Sequence, residues 1–276
     1  MAVAQHWWHG GTPAIPPGAA RIYSLRKVNP AHTLQLIDVE RDSDGTFTSI
    51  GFVGSDLDVA TLAAFCAGTT GRLRNWIDQS GNLEHISTPG GTTNPVIYTG
   101  GAVVTRNGLP AVDWSGATQQ FNWAPPAGTV KEAATASVIA YNESATLGGG
   151  VLLGGWVPGF IEFGVGPDAG VKKMYLNELA TAFIGYGPTV GVGIHQFYCQ
   201  AGSMVATQIL GLDNTDVSFA TSPAYGFGFR TLAENAWFGN AIWTGCVEEY
   251  IVYEIELTLP QRAALQANQK AYWGTP

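Results

Sequence analysis

The sequence predicts an all-β fold, a β-sandwich in one domain, with a short helix near residues 58–66 and a second helix at the C-terminal end. From Arg21 onward, short apolar runs alternate with Gly, Asn, Asp and Pro, which is typical of many strands joined by tight turns. Only 12% of residues are charged against 46% hydrophobic, so the chain is a folded protein and not a disordered one. A length of 276 residues suits one large sandwich.

The individual strand candidates are apolar runs bounded by turn residues. No internal repeat with a period of about 20–50 residues is present, which disfavours a propeller or a solenoid. We therefore expect one domain over residues 19–276. Its clearest strands are predicted at 33–39, 111–114, 137–141, 151–154, 160–165, 194–200 and 204–212.

Residues 1–18 are expected to form an extended arm ahead of this domain. The segment is rich in Gly and Pro and has neither helical nor strand periodicity. Trp7 and Trp8 stand side by side in it, and two exposed indoles would favour aggregation of a free monomer. We therefore expect these tryptophans to dock the arm on its own domain or on a neighbouring subunit.

Two segments have helical spacing. Asp58 can accept hydrogen bonds from the first turn of one helix, in which Leu62 and its apolar neighbours recur at helical spacing. Near the C-terminal end, Thr258 and Gln261 are spaced as a capping box. Pro260 falls in the first turn of that helix, where its missing N–H costs little.

The most informative strand, CVEEYIVYEIEL, directly precedes the C-terminal helix. Ile251 and Tyr253 alternate with their neighbours on an apolar face, and Glu248 falls on the other face. Glu249 is the exception, because its position in the alternation puts a carboxylate on the apolar face. Such a group must be hydrogen-bonded or protonated. We interpret Glu249 as a structural anchor, with a role in a functional site as the alternative.

The charge balance excludes several classes of partner. Lys plus Arg is 13 and Asp plus Glu is 21, and binding to nucleic acid or to anionic lipid would need a basic face. No apolar stretch approaches the roughly 20 residues that cross a bilayer, and the order of residues typical of a secretory signal is missing. We expect no nucleic-acid or membrane partner, no cofactor and no signal peptide.

The chain has few candidate metal ligands. Cys66, Cys199 and Cys246 are too far apart in sequence for a disulfide framework or a zinc ribbon. Three aspartates at 38, 42 and 44 form an acidic cluster of the kind that can hold Ca²⁺. We interpret them as the acidic edge of a predicted strand and turn. We expect no metal site.

Two regions carry a resemblance to known proteins. The first contains the motifs Tyr23-Ser24, Arg41-Asp42-Ser43-Asp44, Phe65-Cys66-Ala67, Thr69-Thr70 and, most specifically, Trp76-Ile77-Asp78-Gln79-Ser80-Gly81-Asn82. With these motifs, residues 21–86 resemble the opening of the arabinofuranosidase B catalytic domain. Residues 245–274, with the strand ending Glu249-Tyr250-Ile251-Val252-Tyr253 and a Leu-Pro-x-Arg helix, are similar to the end of laminin-G-like and concanavalin-A-like domains. Together these resemblances imply a concanavalin-A-like jelly roll from Arg21 to the end.

The chain departs from the arabinofuranosidase pattern at functional positions. In that family a second cysteine follows the Thr-Thr pair, and here the position is Gly71. The adjacent cysteines of the family's substrate pocket have no counterpart in this sequence. The acid/base aspartate of the family lies in a Gly-Gly-Asp-Asn turn, and the best-placed stretch here, residues 228–235, contains no aspartate.

The resemblance directs attention to carboxylates. Retaining glycoside hydrolysis needs two carboxyl groups about 5–5.5 Å apart. No two of the available carboxylates pair by sequence logic, and Asp78 is interpreted as a turn residue that accepts backbone hydrogen bonds. Glu162, Glu178 and Glu249 are the catalytic candidates if the chain is an enzyme, and Asp168 and Glu234 are also available.

Two functional hypotheses follow. Because domains with this opening motif also occur in phage virion proteins, the main hypothesis is a structural and adhesive virion module of a tail, fibre or capsid surface. It would assemble in the host cytoplasm, form a homo-oligomer, dock on other virion subunits and bind a host glycan. The scarcity of titratable groups favours this hypothesis over an enzyme. Aromatic rings that could stack on the sugar are Trp123, Trp156, Trp237 and Trp243.

The alternative hypothesis is a glycoside hydrolase of the arabinofuranosidase type. It would act on α-L-arabinofuranosides by a retaining mechanism with two carboxylates.

Overall fold

A computed structural model describes residues 14–88, 94–115, 121–122, 132–133, 135–143, 150–154, 161–178, 182–201, 208–219, 227–228, 231–232, 243 and 245–276. Strands dominate these residues, and two helices accompany them, α1 (Val59–Phe65) and α2 (Leu259–Trp273). The predicted all-β sandwich with one short helix and one C-terminal helix is therefore confirmed. Neither helix in the described part of the chain is long and apolar enough to cross a membrane.

The strands follow one another with short connections. The first strands are β1 (Arg21–Ser24), β2 (Ile37–Arg41), β3 (Phe47–Ile50), β4 (Phe52–Val53), β5 (Asp56–Leu57), β6 (Gly71–Trp76), β7 (Ile86–Ser87), β8 (Val96–Thr99), β9 (Ala102–Val103), β10 (Thr105–Arg106), β11 (Leu109–Pro110), β12 (Val112–Asp113), β13 (Phe121–Asn122) and β14 (Glu132–Ala133). They are followed by β15 (Thr135–Asn142), β16 (Gly150–Gly154), β17 (Ile161–Asp168), β18 (Val171–Glu178), β19 (Ala182–Thr189), β20 (Gly193–Gln200), β21 (Gln208–Leu212), β22 (Thr215–Phe219), β23 (Phe227–Gly228), β24 (Thr231–Leu232) and β25 (Gly245–Tyr253).

The main sheet folds into two layers. The first layer has the antiparallel order β22–β21–β20–β15–β25, and both β1 and β12 pair with β25. The second contains β3–β2–β6, with β7 and β8 on β6, and continues from β7 through β13, β24, β16, β17 and β18 to β19. Because β12 also pairs with β8, it joins the layers.

The sequence located several of the long strands well, did not single out the eight-residue strands β18 and β19, and placed one short strand poorly. The predicted strands at 137–141, 151–154 and 194–200 fall within β15, β16 and β20. The predicted strand at 33–39 begins too early, because the chain becomes extended only at Ile37.

The core between the layers is rich in aromatic side chains. Trp76 and Trp114 stack with ring centroids 6.4 Å apart, and Tyr250 meets Trp76 edge to face at 6.0 Å. All three rings are fully buried among aliphatic side chains of both layers. Burial of such large rings is a major source of stability in the sandwich.

Helix α2 covers the outer face of the first layer. Its Leu265 packs against Ile22, Ile251 and Tyr253 in a second apolar cluster. The capping box predicted at Thr258 is present, and α2 ends at a left-handed glycine. With the core on one face and α2 on the other, every residue of β25 is buried.

A β-bulge in β25 corrects the predicted position of Glu248. The register with β15 shifts so that Glu249 faces Ile139 and Val247 faces Ala140, which leaves Glu248 as the extra residue. Val247 and Tyr250 both belong to the core between the layers. Glu248 and Glu249 therefore both point to the outer face, whereas simple alternation had separated them.

Gly71 is in close contact with the helix α1 region. A Cβ at this position would lie against the Cys66 sulfur, with Val39 Cγ1 at 3.1 Å and Tyr98 Cβ at 3.2 Å. Cys66 is a buried free thiol. The position at which the resembling family has a second cysteine is thus adjacent in space to Cys66.

We predict that Gly71→Cys forms a disulfide with Cys66. The bond would close a loop of about six residues and raise the free energy of unfolding by ~2 kcal/mol. Mass spectrometry after mild oxidation should detect the loss of two hydrogens, and urea denaturation should detect the stabilisation. The double variant Gly71→Cys, Cys66→Ser cannot form the bond and is the control. Two titratable thiols at residues 66 and 71 of the single variant after oxidation would contradict the prediction.

Candidate functional site

Glu249, one of the three catalytic candidates, is fully buried beneath α2. Arg26 donates from Nε to Oε2 at 2.8 Å and from Nη2 to Oε1 at 3.1 Å. Ser24 Oγ donates to Oε2 at 2.7 Å, and Gln269 Nε2 donates to Oε1 at 3.0 Å. A carboxylate has about four lone-pair sites, and these four donors fill them. Glu249 therefore has no acceptor capacity left for a substrate.

The hydrogen bonds continue beyond Glu249. Gln269 Oε1 accepts from Ser137 Oγ at 2.7 Å and also from Gln196 Nε2. The Arg26 guanidinium lies 4.7 Å from the Tyr272 ring centroid and also donates to Asn268. This polar network joins β15, β20, β25 and the residues around β1 to α2.

The network sets the charge of Glu249. Burial alone would raise its pKa, but the Arg26 charge and the hydrogen bonds from Arg26, Ser24 and Gln269 together lower the pKa below its ordinary value. Glu249 is therefore ionised at neutral pH. The geometry supports its interpretation as a structural anchor.

Glu248 is the titratable residue of β25 that sequence reasoning did not single out. It is fully buried, and neither of its carboxylate oxygens has a hydrogen-bond partner among the described residues. Burial raises its pKa well above the ordinary value, against a smaller lowering by Arg106. The adjacent pair of glutamates in an apolar strand was the available signal, because simple alternation places one of the two carboxylates on each face of the strand.

The other carboxylate candidates lie on β17 and β18 or beyond. The backbone register pairs Glu162 with Asn177 and Glu178 with Ile161, and the side chains of both glutamates are outside the described part. Asp168, at the other end of β17, forms an ion pair with Lys173 at 2.8 Å. Glu234 lies outside the described residues.

The aromatic candidates are only partly described. Trp243 is 1% exposed, and its ring meets Phe197 edge to face at 5.7 Å. Its indole N–H donates to the Cys246 carbonyl at 3.3 Å, so this side chain packs as a core residue with no face open to a sugar. Outside the described residues are Trp7, Trp8, Trp123, Trp156 and Trp237.

The acidic cluster of the first strands is engaged by neighbouring side chains. Asp38 accepts a hydrogen bond from Ser49 Oγ at 2.6 Å and another from Asn75 Nδ2 at 2.7 Å. Asp42 pairs with Arg72 at 2.7 Å. Asp44, at the following turn, pairs with Arg41. These contacts fit the interpretation of the cluster as a polar edge.

The motif around Asp78 organises a turn. Asp78 accepts hydrogen bonds from the backbone N–H of Ile22 at 2.9 Å, Ser80 at 2.9 Å and Glu84 at 3.2 Å, and from Ser80 Oγ at 2.7 Å. The predicted turn role is confirmed. The strongest sequence motif thus fixes β1 against the loop after β6.

A cleft of about 900 Å³ lies between residues 14–20 and the start of the domain. Arg26, Lys27 and Glu254 are the charged residues of its lining, and the Arg26 charge is paired with the buried Glu249 carboxylate. Tyr253 Oη donates to the Pro16 carbonyl at 2.9 Å and holds one wall. The volume of the cleft is in the range of sites that bind small molecules.

The sequence has relatives among curated proteins, although no family model matches it. An arabinofuranosidase/β-xylosidase of Trichoderma koningii is 37% identical over 112 residues, which is 37% of this chain and 22% of that protein. A probable α-L-arabinofuranosidase B of Aspergillus flavus is 36% identical over 113 residues with the same coverage. The chain thus matches about a fifth of the length of these relatives.

Solved structures match most of the chain. An arabinofuranosidase complexed with arabinofuranosyl-α-1,2-xylobiose aligns with a TM-score of 0.67 and 19% identity, over 91% of this chain and 62% of that one. A GH54 α-L-arabinofuranosidase soaked with a cyclic sulfate inhibitor aligns with a TM-score of 0.64 and 16% identity over the same shares. The fold is that of the arabinofuranosidase β-sandwich.

These comparisons correct the main functional hypothesis. The interpretation of the chain as a phage virion module is wrong, because its relatives in sequence and its neighbours in fold are arabinofuranosidases. The preference for a protein without enzymatic activity rested on the scarcity of titratable groups and on the departures from the arabinofuranosidase pattern. The relatives favour the alternative, a glycosidase.

We predict that Glu249→Gln lowers the free energy of unfolding by about 3–5 kcal/mol, because it leaves the buried Arg26 charge without a counter-charge. Urea denaturation measures the change. Replacing both partners, as Arg26→Met with Glu249→Leu, should recover part of the loss. Glu254→Gln is the control, since its partly exposed carboxylate is 3.5 Å from Arg21 and should matter by less than about 1 kcal/mol. Equal decreases in the free energy of unfolding for Glu249→Gln and Glu254→Gln would contradict the prediction.

The same ion pair predicts a pH dependence. Because the folded state lowers the pKa of Glu249, its contribution is fully present above the unfolded pKa of ~4.3 and is lost as the pH falls through the folded value. Between about pH 5 and pH 3, the wild-type protein should lose stability more steeply than the Arg26→Met, Glu249→Leu variant. Parallel slopes in urea denaturation across this range would contradict the expected linkage.

Proposed function

We propose that this chain is a glycoside hydrolase domain of the arabinofuranosidase type that releases α-L-arabinofuranosyl groups. The observation that carries the proposal is the 35–37% identity to curated arabinofuranosidases over about 112 residues. The fold alignment with a solved arabinofuranosidase, which covers 91% of this chain, also supports the proposal.

The chemistry requires two carboxyl groups with different protonation. One protonates the leaving oxygen, while the other attacks the anomeric carbon and forms a glycosyl-enzyme intermediate. Water then releases the sugar, with the first group acting as base. Glu249 cannot take either role in the present geometry, because its lone pairs are filled and it lies under α2. Glu162 and Glu178 remain candidates for one of the two roles; the register places Glu162 opposite Asn177 and Glu178 opposite Ile161, so the two glutamates are not cross-strand partners.

We predict turnover of 4-nitrophenyl α-L-arabinofuranoside, measured as released nitrophenol. Glu162→Gln or Glu178→Gln should lower kcat by about 10²–10⁴-fold, because loss of a catalytic carboxyl removes proton transfer or the nucleophile. Asp168→Asn is the matched control, since this carboxylate is on β17 but pairs with Lys173. It should retain nearly full activity.

Three outcomes bear on this proposal. Activity lost in one glutamate variant and kept in the control supports it and identifies the residue. Turnover that is unchanged in both glutamate variants would support the activity but exclude these two residues. No turnover by the folded wild-type chain on nitrophenyl arabinofuranoside or on arabinosylated xylan would overturn the proposal.

We also predict retention of configuration at the anomeric carbon, because a covalent intermediate requires two inversions. Proton NMR of the first product in methanolysis should detect the α-arabinofuranoside. Accumulation of the methyl β-arabinofuranoside at early times would instead indicate a single displacement, by methanol in the place of water, with carboxylates about 6.5–9.5 Å apart.

A further inference from the structure

A lysine and an asparagine meet in the interior, across the two layers of the sandwich. Lys172 is on β18 in the second layer, and Asn142 is the last residue of β15 in the first. Lys172 is only 1% exposed, and Asn142 is fully buried. The Lys172 Nζ donates to Asn142 Oδ1 at 2.8 Å. An amine and a carboxamide are thus held in contact away from solvent.

The Asn142 carboxamide has a fixed orientation. Its Nδ2 donates to the Gly191 carbonyl at 2.7 Å, so Oδ1 is the atom turned toward Lys172. Since Cγ is one carbonyl bond, about 1.2 Å, from Oδ1, the lysine nitrogen is at most about 4 Å from Cγ. Reacting atoms in a near-attack arrangement are about 3–3.5 Å apart. A small shift of the lysine side chain therefore brings its nitrogen to that separation.

The surroundings favour the neutral amine form of Lys172. Burial lowers the pKa of its ammonium group, against a smaller raising by the Glu143 charge. Glu143 itself pairs with Arg106 at 2.6 Å, and Lys172 has no ion pair within the described residues. A neutral amine has the free electron pair that a nucleophile needs, which is why buried lysines can act as nucleophiles.

We propose that Lys172 and Asn142 join in an intramolecular isopeptide bond after the chain has folded. The lysine Nζ attacks Cγ of the asparagine, so that the Nζ–Cγ bond forms and the Cγ–Nδ2 bond breaks. The lysine nitrogen gives up one proton, which the leaving nitrogen takes up to depart as ammonia. An acyl group passes from one nitrogen to another, and the step needs no oxidant, reductant or cofactor.

The fold supplies what makes so slow a reaction feasible. Effective molarities of well-oriented intramolecular reactions reach about 10⁵–10⁸ M. Burial keeps water, the competing nucleophile, away from both side chains. Because the bond has to form only once in each molecule, it does not need the turnover rate of an enzyme, and the loss of ammonia to solvent makes the step irreversible.

The bond links the two layers covalently. It closes a loop of about 30 residues that contains β16 and β17, and a cross-link of this kind stabilises a fold by restricting the unfolded chain. Neither reacting residue is among the candidate catalytic groups of the proposed hydrolase. The two proposals can therefore fail independently.

The mass of the intact chain tests the bond. Wild-type protein that has been folded at neutral pH and then denatured should be lighter than its sequence by about 17 Da, the mass of ammonia. Lys172→Arg should have its full mass, because a guanidinium is not a nucleophile at neutral pH. Lys173→Arg is the matched control, since this neighbouring lysine pairs with Asp168 at 2.8 Å, and it should keep the mass loss. Circular dichroism of each variant verifies the fold.

Peptide mapping locates the bond. Cleavage after glutamate separates Asn142 from Lys172, because Glu143 and Glu162 lie between them in sequence. The peptide with Asn142 and the peptide 163–178 should nevertheless remain joined in the wild type. A folded wild-type chain that keeps its full mass after prolonged incubation at neutral pH would overturn the proposal. The same holds for a mass loss that persists in Lys172→Arg, or one confined to the Asn142 peptide, as a succinimide at the asparagine would give.

Discussion

The buried ion pair between Arg26 and Glu249 is the interaction on which the first layer depends. A carboxylate in the middle of a strand that is covered on both faces would be costly, and only Arg26, Ser24 and Gln269 together make it stable. These partners come from the residues around β1 and from α2. The ionised Glu249 therefore fixes where α2 lies on the sheet, and the apolar contacts of Leu265 hold the helix against the same face.

The β-bulge next to this pair has equally large consequences. It turns two consecutive glutamates to the same face: Glu249 has its hydrogen bonds satisfied, and Glu248 has no hydrogen-bond partner among the described residues. In a chain with few charges, a buried carboxyl group is conspicuous, because burial without compensation costs several kcal/mol.

The low charge of the chain had argued for binding and assembly, and this inference was wrong. Glycoside hydrolysis needs only two well-placed carboxyl groups, so the number of titratable residues does not discriminate an enzyme from a structural module. The departures from the family motifs are local. At Gly71 the lost cysteine leaves Cys66 as a buried free thiol, and the surrounding strands keep the arrangement of the sandwich.

The sequence by itself determined the fold class, both helices, several of the long strands and the turn at Asp78, because these follow from local periodicity, capping and backbone hydrogen bonding. The tertiary structure alone decided the burial of Glu248 and the contact between Lys172 and Asn142. The packing of the two layers brings distant side chains together, and a single bulge reverses which face a side chain takes. Neither effect leaves a periodic trace in the chain.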